Sequence, residues 1–144
     1  MATAASAIMG GIVEAIRATG LFELVTEGAF DGSSAAPRAA VLYESQEPFP
    51  SDDSANARWL RLKTAVVVHV RDNVASAGAA RAAELCDACA AAIMLDPYRG
   101  GLCKDLPIGM ATEVGAAELT NGLRRPEIEM TFPIRCHFER QEEP

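Results

Sequence analysis

The chain has 144 residues, 49% of them hydrophobic and 23% charged. That is the composition of a globular domain rather than of a disordered or fibrous chain, and the length suits a single domain, residues 1–144, with a sizeable core. Twenty Asp and Glu against thirteen Lys and Arg give a net charge of −7, so the counterion release that drives nucleic-acid binding is missing overall. The same sign suits a wall past which a polyanion slides without sticking.

The first 13 residues are apolar but lack a basic n-region and are interrupted by Gly10-Gly11. Neither a signal peptide nor a membrane-spanning segment is therefore expected. Thr3 to Thr19 reads as a helix with Thr3 as N-cap, Ile8, Ile12 and Ile16 as its apolar stripe, and Gly20 as its stop. Leu21 to Glu27 fits a short strand or a helical extension equally well. Residues 30–37 form a loop by composition, and Arg38 to Glu44 follows as a short strand. Ser45 to Asn56, with Pro48, Pro50 and the run Ser51-Asp52-Asp53-Ser54, reads as a loop or hairpin tip.

The clearest strand begins near Arg58. Leu60, Leu62, Val66, Val68 and Val70 alternate with Arg61, Lys63, Val67, His69 and Arg71, the period of two of a half-buried strand. Asp72-Asn73 supplies cap chemistry for a second helix, Val74 to Leu95. Its stripe of Gly78, Ala82, Leu85, Cys89, Ala92 and Ile93 is small enough to let the backbone lie close to a sheet, and Asp96-Pro97 ends it. Tyr98 to Leu106 is a turn-rich connection. Ile108 to Thr120 reads as a weaker strand, with a turn at Asn121-Gly122.

Glu127 to Glu139 makes the last strand. Ile128, Met130, Phe132, Ile134, Cys136 and Phe138 share one side; Glu127, Glu129, Thr131, Pro133, Arg135 and His137 share the other. Pro133 donates no ladder hydrogen bond, which predicts an edge position or a bulge. The order predicts an α+β fold, a mostly antiparallel four- to five-stranded sheet with two main helices packed on one face. The opposite face, with Arg61, Lys63, His69, Arg71, Glu127, Glu129 and Arg135, is left for solvent or a neighbour.

No catalytic constellation is legible. Cys86-Asp87-Ala88-Cys89 has the C-x-x-C spacing of a redox or zinc motif. It falls in mid-helix, however, far from the helix N-terminus that would depress a thiol pKa. The remaining candidate ligands, Cys103, Cys136, His69 and His137, are scattered singly, so the cysteines read as reduced, buried small hydrophobes. The two histidines could approach each other if their strands were neighbours, but no nucleophile elbow accompanies them. Gly100-Gly101 lacks the Lys-Ser/Thr of a phosphate loop. Glu127 and Glu129 read as a solvated edge or as an ion-pair row with Arg124, Arg125 and Arg135. No enzyme activity, metal or cofactor is expected; a thiol- or metal-dependent enzyme built on Cys86, Cys89 and a histidine is the competing expectation.

The succession of a helix, APRAAVLYE, an acidic proline-containing loop, LRLKTAVVVHVRD, an Ala-rich helix ending AAIMLDP, GGLCKDL and a last strand IEMTFPIRCHF resembles the phage tail terminator (tail completion) proteins. The likeness runs from about Ile8 to Phe138 and is one of layout, without a catalytic signature. It implies a structural virion protein forming a hexameric ring on the head-proximal end of the tail tube. The ring would stop tube polymerisation and join the tail to the neck or head.

The implied partners are copies of itself, the tail tube protein and the neck or head–tail connector protein, with DNA passing through the channel without specific binding and no membrane involved. The implied place is the virion, after assembly in the host cytoplasm; another neck, head-completion or baseplate adaptor is the alternative. Phe49 and Trp59 stand out, either as aromatic interface anchors or as side chains folded back onto the core. Arg61, Lys63, Arg71, Glu129 and Arg135 of the strands, and Arg99 and Lys104 of the connection, complete the expected interface.

Overall fold

The computed structural model describes residues 3–29, 36–48, 58–72, 74–117 and 127–140. In chain order these form α1 (Ala4–Ala18), β1 (Leu24–Glu27), β2 (Arg38–Pro48), β3 (Trp59–Arg71), α2 (Ala75–Ile93), β4 (Thr112–Ala117) and β5 (Glu127–Glu139). The five strands make one sheet in the order β1-β2-β3-β5-β4. β1 pairs with β2 in parallel, and every other pairing is antiparallel. The class is α+β as expected, and the five-stranded sheet is mixed, mostly antiparallel with one parallel pairing. A two-residue hairpin turn would have forced β1 and β2 antiparallel; ten residues, 28–37, separate them in the sequence.

The sheet is organised by β3 and β5, each of 13 residues, paired without interruption from Trp59↔Glu139 to Arg71↔Glu127. Strict alternation sends Leu60, Leu62, Val66, Val68 and Val70 inward to meet Ile128, Phe132, Ile134, Cys136 and Phe138 in one core. Thr64 is the one polar residue of β3 on that side, and its hydroxyl donates to the Leu42 carbonyl at 2.6 Å. Burying its oxygen therefore leaves no unmet hydrogen bond.

Both helices contribute to the same core. α1 supplies Ile8, Met9, Ile12, Val13 and Ile16, and α2 supplies Ala82, Leu85, Cys86, Cys89 and Ile93. Thr3 caps α1 by accepting from the Ser6 amide at 3.0 Å, and Gly20 takes the left-handed turn beyond its end, φ +68°. At the start of α2, Asp72 accepts from the Val74 amide at 2.8 Å. Gly78 is needed where α2 crosses the sheet, because a Cβ there would lie 2.3 Å from Cδ1 of the fully buried Ile128.

Three expectations are corrected. β2 continues to Pro48, so Ser45 to Pro48 is strand and not loop. The register slips at Glu44, with Tyr43 opposite Thr64 but Ser45 opposite Lys63, and such a bulge exchanges the two faces of the strand. β4 begins at Thr112 and not at the predicted Ile108, while residues 118–120 of the predicted strand lie outside the described residues. Ile108 instead bridges Ile134 singly, as Asp105 bridges His137. Pro133 is not on an edge strand, since β5 lies between β3 and β4. Its carbonyl accepts from Gly109 N at 2.8 Å, so its nitrogen faces the same side, where the ladder passes irregularly from the bridge at Ile108 to β4.

The predicted turn at Asn121-Gly122 lies outside the described residues. The approach of Gly109 to Pro133 is close: a Cβ on Gly109 would sit 2.5 Å from the ring Cγ, which a rigid pyrrolidine does not yield. Gly109→Ala is expected to lower stability by about 1–3 kcal/mol, read as a drop in the midpoint of a thermal melt.

Candidate functional site

The outward face of β2, β3 and β5 gathers most of the residues singled out from the sequence. Trp59, Arg61, Lys63, Arg71, Glu129 and Arg135 all occupy outward positions by register. Lys104 joins them at one end, its Nζ 5.4 Å from the centroid of the Trp59 ring, a cation–π distance. Trp59 is half-buried at the mouth of β3. Phe49 lies outside the described residues, as do Arg124 and Arg125.

Arg99 belongs elsewhere. Its guanidinium donates to three backbone carbonyls, Ile93 at 2.5 Å, Asp96 at 2.7 Å and Gly11 at 3.2 Å. It thereby closes the C-terminal end of α2 and ties it to the middle of α1. Its backbone is left-handed, φ +46°, a conformation that costs a non-glycine residue energy and that the three bonds hold in place. Arg99 is thus an internal clamp.

The charges of the outward face fall into two clusters. At the β3 C-terminal end, Arg71 meets Glu127 at 2.9 Å, Arg38 lies 3.9 Å from the same carboxylate, and Arg38 reaches Nδ1 of His69 at 3.0 Å. His69 Nε2 meets Glu129. At the other end, Glu47 accepts from Lys63 at 3.2 Å and from Arg61 at 3.3 Å. The Lys63 hydrogen bond, assisted by the charges of Lys63 and Arg61, holds the Glu47 carboxyl below its ordinary range. Arg135 lies 3.7 Å from Glu44 and donates to the carbonyls of Thr64 and Ile134.

Both histidines are bound in the same way. Arg61 Nε donates to Nε2 of His137 at 3.1 Å, and Nδ1 of that ring meets Asp105 at 2.5 Å. An arginine nitrogen only donates, so the ring nitrogen facing it is the acceptor and the other carries the proton toward the carboxylate. His69, between Arg38 and Glu129, follows the same rule. The two rings do not meet: β3 and β5 are neighbours, but His69 pairs with Glu129 while His137 pairs with Arg61, placing them about 26 Å apart along the strands.

Sequence reasoning missed Arg38, Glu47 and Asp105 as members of these clusters. Their signal is the register, which places Arg38 opposite His69, Glu47 opposite Arg61 and Asp105 opposite His137.

The four cysteines are free and buried. Burial pushes Cys86 up to about 11 and Cys89 up to about 12, with the neighbouring Asp87 and Cys86 adding to it respectively. Cys103 and Cys136 share a hydrogen bond that lowers the first and raises the second, and Cys103 Sγ donates to the Pro97 carbonyl at 3.8 Å. Among the described residues no group of three His, Cys, Asp or Glu is placed to hold a metal ion, and no helix is long and apolar enough to cross a membrane. No protein-family model matches the sequence, and no curated protein matches it closely enough to count as a relative.

Two outcomes follow from this arrangement. Arg99→Ala is expected to destabilise the fold by about 2–3 kcal/mol, the range for losing charged hydrogen bonds. Arg99→Lys should restore little, because an ammonium cannot span three carbonyls; denaturant midpoints measure both. Cys86 and Cys89 titrate above the usual thiol range when folded, so the stability they confer is complete below about pH 8.5 and declines as the pH rises toward 11–12. Thiol-reagent labelling at pH 8 should leave both unmodified until denaturant is added.

Proposed function

We propose that this chain is a structural subunit of a bacteriophage tail, a terminator that assembles with copies of itself into a hexameric ring on the head-proximal end of the tail tube. There it stops polymerisation of the tube and presents a surface to the neck or head connector, with DNA passing through. It works in the virion after assembly in the host cytoplasm.

The observation that carries this reading is the division of labour between the two sides of the sheet. The inner side is filled by two helices and holds the fold. The outer side is a broad, ion-paired surface on two 13-residue strands, whose imidazoles are engaged by arginines and carboxylates. Support also comes from Cys86 and Cys89, the C-x-x-C pair, whose burial raises both thiols, an environment that disfavours the thiolate nucleophile. The resemblance of the sequence to tail terminators, which runs from about Ile8 to Phe138, is the ground for naming this assembly.

The test is native mass spectrometry of the purified protein with and without tail tubes, joined to labelling of assembled particles. The expected result is an assembly of six 15.2 kDa chains seated at the head-proximal tube end. A strictly monomeric protein that ignores tubes would overturn the proposal, and label at the distal end would make the protein a baseplate adaptor.

A further inference from the structure

We infer that the outward face of β2, β3 and β5 receives a second copy of this chain, seated on a trough of small and apolar side chains between the two charged clusters. The inference rests on the self-assembly proposed above and names the surface that carries it. The floor of the trough is set by register: Leu42 of β2, Ala65 and Val67 of β3, and Thr131 and Pro133 of β5 point outward, whereas Ala40 on the same side is already covered within the chain. Ala65, Val67, Thr131 and Pro133 keep part of their surface exposed. Side chains this short let a neighbour approach the sheet closely, and they offer the apolar centre with a polar rim that protein interfaces share.

Charge identifies the occupant. The outward strand positions carry five basic residues (Arg38, Arg61, Lys63, Arg71, Arg135) and five acidic ones (Glu44, Glu47, Glu127, Glu129, Glu139), and so sum to zero. The other eight basic and fifteen acidic residues carry the entire −7. Copies of an acidic protein repel one another over roughly the screening length, about 8 Å at physiological salt, and this face is where that repulsion vanishes. A basic partner would be drawn to the acidic remainder of the chain instead, and a nucleic acid meets no excess of positive charge here. The carboxylates along β5 and β2 already have cationic or imidazole partners within the sheet, such as Glu127 with Arg71 and Glu47 with Lys63. Covering them strands no lone charge, which would be the main cost of burying a charged face.

The experiment places a long charge in the trough, Val67→Arg in one variant and Thr131→Lys in another, and compares self-association by analytical ultracentrifugation with the thermal midpoint as a check on folding. Each variant is expected to weaken self-association by at least about tenfold, or about 1.4 kcal/mol, while melting like the parent. Folded variants that assemble like the parent overturn the inference and leave the tail proposal standing; a parent that never assembles overturns both.

Should either variant misfold, the parent protein supplies a second reading, because Lys63 and Lys104 are the chain's two lysines. Acetylation of Lys63 is expected to slow by about tenfold in the assembly relative to dissociated chains, as for a side chain covered by an interface. Equal rates in the two states contradict the inference.

Discussion

The unbroken antiparallel pairing of β3 with β5 is the constraint on which the rest of the structure depends. Thirteen consecutive pairs, Trp59↔Glu139 to Arg71↔Glu127, lock two alternating strands into one register, and a slip of a single residue would turn every Val, Ile and Phe to the wrong side. Each buried aliphatic or aromatic side chain on the inner surface contributes about 1.5–3 kcal/mol. A partly exposed ion pair on the outer surface contributes about 0–1 kcal/mol. The inner side therefore holds the fold, and the outer side is left open to other uses. The helices follow from this, since a sheet with one apolar face needs a cover, and the stripes of α1 and α2 supply it.

How much of this was legible in the sequence depended on whether periodicity ran uninterrupted. α1 carries its own cap and stop in Thr3 and Gly20, and β3 and β5 alternate from end to end, so all three were readable almost to the residue. β2 was readable only as far as Glu44, because the bulge there exchanges inside and outside and the second half no longer continues the pattern of the first. β4 has the same weakness, with its register shifting between Glu113 and Gly115. The parallel placement of β1 is a tertiary choice that four residues, Leu24–Glu27, do not encode.

The site was legible in type and not in connection. Alternation alone assigned Arg61, Lys63, Arg71, Glu129 and Arg135 to one face. Their partners were hidden because pairing is set by register between strands distant in sequence. Asp105 reaches His137 only because the connection after α2 runs beside β5, and Arg38 reaches His69 across β2 and β3. The clamp made by Arg99 was hidden for a different reason. A cation in a glycine-rich turn looks solvated, and the backbone carbonyls that engage it leave no trace in the side-chain pattern.

In the assembly proposed above, the stabilising contacts and the contact surface lie on opposite sides of one sheet, an arrangement that would let subunits join without remodelling their cores. Electron cryo-microscopy of the assembled particle tests this most directly. The account predicts that the outward face of β2, β3 and β5 is covered by a neighbouring copy while the helices remain packed on the inner face. Density showing that face bare to solvent, or closed over a small molecule within a single chain, would contradict it.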